Sequence, residues 1–152
     1  MDKEQLKQLI KQTLIEIGFY SESALNLLMG TAAQESHLGH YIEQINGPAK
    51  GIFQMEPNTF EDHINNYLNY KPDLKQRIEK TCDLKEWKAD ALVYNLKFAI
   101  CMARVHYLRV PKPLPDRDAY HDLAEYWKAH YNTYRGRGTV EQFVNNYKEF
   151  VL

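Results

Sequence analysis

Apolar residues recur at helical spacing along nearly the whole chain. Leu6, Leu9, Ile10, Leu14 and Ile17 form one stripe, and Gly18 follows it as a stop. Ser21 is placed to cap a second helix through Leu25, Leu28 and Met29 to Glu35, where Gly30, Ala32 and Ala33 leave room for a neighbour. Pro57 opens the next helix, through Phe60, Ile64 and Leu68 and ending before Lys71-Pro72. A short charged helix follows from Leu74 to Lys80. Asp83 and Glu86 have the spacing of a capping box before the most apolar helix, which carries Leu92, Leu96, Ala99, Ile100 and Ala103 and stops before Pro111. After an extended connector from Val110 to Pro115, Asp118 is placed to cap a helix presenting Leu123, Trp127 and Tyr131. Thr139 and Gln142 make a second capping box, before Val140, Phe143, Val144 and Tyr147.

The exception to this periodicity runs from His37 to Pro57, with Gly39, Gly47, Pro48 and Gly51 along it. The pattern predicts an all-α chain with at most a small hairpin near residues 40–55, in a single globular domain covering 1–152. The length suffices for a substantial core. A net charge of −1 gives no global field toward nucleic acid, so no nucleic-acid partner is expected. The charged start Met1-Asp2-Lys3-Glu4-Gln5 lacks an apolar signal core, and no apolar run is long enough to insert in a membrane. Synthesis in the cytosol without a secretory address is the expectation. Cys82 and Cys101 are too few for a disulfide scaffold and read as reduced, buried thiols.

Long loops in compact domains are often functional, and this one begins beside Glu35. A carboxyl group set against Leu, Met and Ala side chains is poorly solvated when charged. Its pKa rises, as a general acid near neutral pH requires. Gly51 lets backbone approach a ligand closely, and Gln54 offers both a donor and an acceptor. His37, His40 and Glu43 are scattered around Gly39 without the spacing of a metal site, so no metal or other cofactor is expected. Arg135-Gly136-Arg137-Gly138, with Lys128 and His130 nearby, is a short basic loop suited to carboxylates or, as the second reading, RNA phosphates.

Three segments in order resemble the lysozyme-like soluble lytic transglycosylases and the goose-type lysozymes. Glu35-Ser36-His37 is similar to the family's helix-ending Glu-Ser and the goose-type Glu-Ser-His. Gly51, Ile52, Phe53, Gln54, Met55, Pro57 and Thr59 are similar to its Gly-Leu-Met/Phe-Gln-hydrophobic-x-Pro-x-Thr. Tyr131-Asn132 is similar to its aromatic-Asn pair, although Thr133, Tyr134 and Arg135 precede Gly136 where relatives place a glycine closer. The match spans most of the chain.

The resemblance implies a lysozyme-like, mainly helical fold and cleavage of the β-1,4 bond between N-acetylmuramic acid and N-acetylglucosamine in peptidoglycan. Glu35 would be the general acid/base. Ser36, Phe53, Gln54, Tyr131 and Asn132 would lie at the substrate, with the Tyr131 hydroxyl orienting the carboxylate. Glu56 stands where goose-type enzymes carry an Asp and is a second catalytic candidate, able to position a water; a solvated residue at a helix start is the alternative. A lytic transglycosylase needs one Glu and yields a 1,6-anhydro sugar, whereas a hydrolase normally needs a second carboxylate. The expected partner is the peptidoglycan glycan strand, met by a monomer after lysis, release or delivery in a particle. A phage endolysin or virion-associated lysin fits; a catalytically silent glycan-binding or structural virion protein of the same fold is the alternative.

Overall fold

The computed structural model describes residues 1–132 and 136–152. α1 (Lys3–Ile17) starts where the Asp2 carboxylate accepts the Gln5 N–H and ends at Gly18 in the left-handed region, φ 83°. α2 (Glu22–Ser36) is capped by Ser21 and buries almost all of its length. α3 (Pro57–Asn66) leads through a 3₁₀ turn (Leu68–Tyr70) into α4 (Pro72–Thr81). α5 (Ala91–Tyr94) and α6 (Leu96–Leu108) follow, then α7 (Tyr120–Trp127), a π-helical turn (Lys128–Asn132) and α8 (Val140–Phe150). No described helix is long and apolar enough to cross a membrane.

The expected all-α architecture is observed. One contiguous core gathers Leu6, Ile10 and Leu14 of α1, Leu28 of α2, Phe98 of α6, Trp127 of α7 and Phe143 of α8. α2 lies between α1, α6, α7 and α8, which explains its burial on several faces. α8 packs tightly at Gly30, where a methyl would overlap the Phe143 ring. The expected hairpin shrinks to two antiparallel bridges, Glu43 with Lys50 and Lys50 with Met55.

Three local expectations fail for identifiable reasons. Asp83 caps nothing: it takes φ 50° in a turn, and the apolar helix breaks into α5 and α6. Asn95 makes the break by accepting the Phe98 N–H, so it is the cap of α6. The helix opened by Pro57 stops at Asn66, because Tyr67 leaves helical geometry (φ −139°) and Leu68 continues in the 3₁₀ turn. Asp118 does not cap α7 either, whose N-cap is Ala119 with no side-chain bond. The Thr139–Gln142 capping box forms as expected.

Candidate active site

α2 delivers Glu35 in its last turn. The chain then reverses through three successive left-handed residues, His37 (φ 50°), Leu38 (φ 60°) and Gly39 (φ 83°). Left-handed geometry is unfavourable at Leu38, and burial of its side chain (3% exposed) holds it there. Ser36 locks the reversal. Its hydroxyl accepts the Gly39 N–H at 2.9 Å and shares its proton between the Ile52 and Ala32 carbonyls at 2.7 and 3.0 Å. Ser36 is thus a buried tie between α2 and the 51–55 loop, not the substrate contact expected of it.

The loop is fitted just as closely. Gly51 has φ 80° and sits against the Leu92 carbonyl, where a side chain would overlap. Gln54 is also left-handed (φ 50°) and donates from Nε2 to the Gly51 carbonyl at 2.9 Å. Phe53 is corrected from a ligand contact to a core residue, 2% exposed. Its carbonyl accepts the Tyr131 hydroxyl at 2.6 Å.

These elements enclose a cleft of about 630 Å³ lined by Glu35, Gln54, Glu56, Thr59, Tyr131 and Asn132, with Gln44, Ala49, Met55, His106 and Gly136 completing the wall. The structure therefore gathers Glu35, Gln54, Glu56, Tyr131 and Asn132 from three distant stretches of chain. Ser36 and Phe53 stand behind this wall as supports. Burial pushes the Glu35 carboxyl up to about 7, against a smaller downward effect from the Trp127 indole. Glu56 stands exposed at the N-cap of α3, makes no capping bond, and plays no part in the Glu35 shift.

The residue oriented onto Glu35 is Trp127. Its indole Nε1–H donates to Oε2 at 3.1 Å. Tyr131 was expected in this role, but its hydroxyl is committed to Phe53. The π-helical turn begins just after Trp127 and carries Tyr131 on to a different partner. Tyr131 instead stacks on Tyr107, ring centroids 5.4 Å apart. The Tyr107 hydroxyl donates to Thr31 Oγ1 at 2.8 Å, because Thr31 spends its own proton on the Leu27 carbonyl. Burial drives both phenols well up, with the nearby Glu35 charge adding to it.

Lys128, part of the locally basic stretch in the sequence, is spent on internal bonds. Its ammonium donates to Asn132 Oδ1 at 2.7 Å and to the Gly136 and Gly138 carbonyls at 3.0 and 2.6 Å, tying Asn132 to the far wall. Gly136 packs against the Asn132 amide so closely that a side chain would overlap it. Of the basic loop, Arg135 lies outside the described residues, as do Thr133 and Tyr134.

A second cavity, of about 460 Å³, shares Thr59 and His106 with the cleft and continues past them to Asp62, Arg109 and His130. Its floor is an ordered chain of donors. Arg109 Nη1 donates to His63 Nδ1 at 3.0 Å, so His63 carries its proton on Nε2 and donates it to His106 Nδ1 at 2.9 Å. His106 in turn donates from Nε2 to the His130 carbonyl at 2.7 Å. Both imidazoles are therefore neutral, and burial holds His63 down at about 3.

The chemistry available is proton exchange by one desolvated carboxyl, beside an amide and an asparagine able to grip polar substituents. No family model matches this chain, and no curated protein or solved structure matches it.

Proposed function

We propose that this chain cleaves the β-1,4 bond between N-acetylmuramic acid and N-acetylglucosamine in peptidoglycan, with Glu35 as general acid and then base. The observation that carries the reading is Glu35 itself, a carboxyl lining a 630 Å³ cleft and held near a pKa of 7 by burial. A group of that pKa is substantially protonated at neutral pH yet remains a usable base once ionised. The similarity of Glu35-Ser36, Gly51–Thr59 and Tyr131-Asn132 to the transglycosylase motifs supports the same reading, since most of these residues meet at one cleft or brace its wall.

In this reading Glu35 gives its proton to the leaving glycosidic oxygen as the bond to the muramoyl C1 breaks. The resulting carboxylate then takes the proton of the muramoyl C6 hydroxyl, whose oxygen bonds to C1. The sugar ends as a 1,6-anhydro product, Glu35 is protonated again, and no water is consumed. One carboxylate suffices, and the exposed position of Glu56 favours this route over hydrolysis. Gln54 and Asn132 bind acetamido groups, and Trp127 orients the carboxylate.

The test is digestion of purified peptidoglycan by the chain and by Glu35→Gln. Soluble fragments with anhydro ends that vanish in the variant support the proposal. Reducing ends would keep the bond and the acid but assign Glu56 the positioning of a water. If Glu35→Ala leaves glycan binding intact while the unaltered chain releases nothing, the protein is a glycan-binding component of a particle and the enzyme reading fails.

A further inference from the structure

Cys82 and Cys101 come from different elements yet place their sulfurs 3.6 Å apart. Cys82 caps the C-terminus of α4, and Cys101 lies within α6. Both are free and buried, Cys101 completely and Cys82 at 5% exposure. Their approach is braced. The Asn95 side chain caps α6 with its oxygen and donates from Nδ2 to the Cys82 carbonyl at 3.1 Å, pinning the end of α4 to the start of α6. Bringing the sulfurs to the bonding separation of about 2.05 Å asks each to move by less than about 1 Å. No group of three described His, Cys, Asp or Glu residues surrounds them, so a metal does not account for the pair.

We propose that Cys82 and Cys101 form a dithiol site that closes to an intramolecular disulfide, with a small-molecule or protein disulfide as the co-reactant. Cys82, at the helix end and the less buried of the two, attacks one sulfur of the reagent and expels the other half as a thiolate. The Cys101 sulfur then attacks the Cys82 sulfur of the mixed disulfide and releases the second half. The protein gives up two electrons and two protons, and the reagent leaves as two thiols. The hydrogen bond with Cys82 and then burial hold the Cys101 thiol protonated, so Cys101 is the poorer first nucleophile.

The bond closes the stretch between α4 and α6 that backs the cleft. Within it Asp90 pairs with Lys50 at 3.2 Å, and the Leu92 carbonyl packs on Gly51. A disulfide restricts the unfolded chain across this loop and stabilises the wall behind Gly51. No step involves Glu35, so the inference stands apart from the proposed glycan chemistry.

The test unfolds the purified chain and refolds it in glutathione buffers, one rich in the disulfide and one fully reduced, so that burial of the thiols cannot prevent exchange. The expected product of the oxidising buffer is a monomer lighter by two hydrogens and free of glutathione, yielding a Cys82–Cys101 linked peptide. Its thermal midpoint stands roughly 5–10 °C above that of the reduced chain. Cys82→Ser and Cys101→Ser each lose the difference between buffers. Persistent free thiols, glutathione adducts, intermolecular dimers, or a linked chain with a lower midpoint would overturn the proposal.

Discussion

Glu35 takes its properties from the side chains around it. Burial raises its pKa and the Trp127 indole, which bonds the charged form, lowers it, leaving a value of about 7. In the proposed mechanism the reacting form is protonated, so cleavage should fall off above about pH 7. Trp127→Phe removes the only described donor to the carboxylate and should carry that basic limb to higher pH, read from the pH profile of kcat/KM on soluble glycan fragments. A limb that stays put would mean that the indole does not tune the acid. The same shift has a stability sign. The folded pKa lies above the unfolded value of 4.5, so the folded state is favoured below 4.5 and loses that advantage as pH rises through 7. Glu35→Gln should therefore match the unaltered chain in thermal midpoint at pH 4 and exceed it by a few degrees at pH 8. The underlying difference is on the order of 3 kcal/mol.

Between elements, two glycines permit close approaches, one of α8 to α2 and one of the 51–55 loop to Leu92. Gly30→Ala would drive a methyl into the buried Phe143 ring and force α2 from α8, costing about 1–3 kcal/mol in urea unfolding. Gly51→Ala adds left-handed strain to an overlap with the Leu92 carbonyl. It should weaken glycan release more than it lowers the unfolding midpoint. Gly51 was expected to bring backbone to a ligand, but what it approaches is the protein's own Leu92 carbonyl; Gly18, Ser21 and Thr139 were legible as caps because capping is local. Trp127 was read only as a residue on an apolar helix. Its bond to Glu35 spans 92 positions, and only the packing of α7 on α2 creates it. The π-helical turn is equally non-local: nothing in Lys128–Asn132 announces a change of winding, yet it directs Tyr131 to Phe53. The break at Asn95 went unread because the apolar stripe runs straight through it, and the cap outcompetes the periodicity.

At the scale of the molecule, one core supports both the cleft and its extension, and its polar members set the response to acid. His63 is buried with a pKa of about 3 in the fold against 6.5 when exposed, and His106 is lowered as well. Neutral imidazoles are required by the donor chain from Arg109 to the His130 carbonyl. Their contribution is intact above pH 6.5 and is lost as pH falls from there toward 3. Protonation of Glu35 opposes this loss between pH 7 and 4.5, so urea midpoints should decline over the whole window in Glu35→Gln, and adding His63→Gln there should flatten the decline while lowering stability at pH 7. An unchanged slope would remove His63 as its source. Whether Glu35 cleaves glycan strands is decided by mass spectrometry of the soluble fragments released from purified peptidoglycan by the chain and by Glu35→Gln. The chain should release fragments ending in 1,6-anhydromuramic acid and the folded variant none; equal release by both, or no release by either, would remove Glu35 as the glycan-cleaving acid.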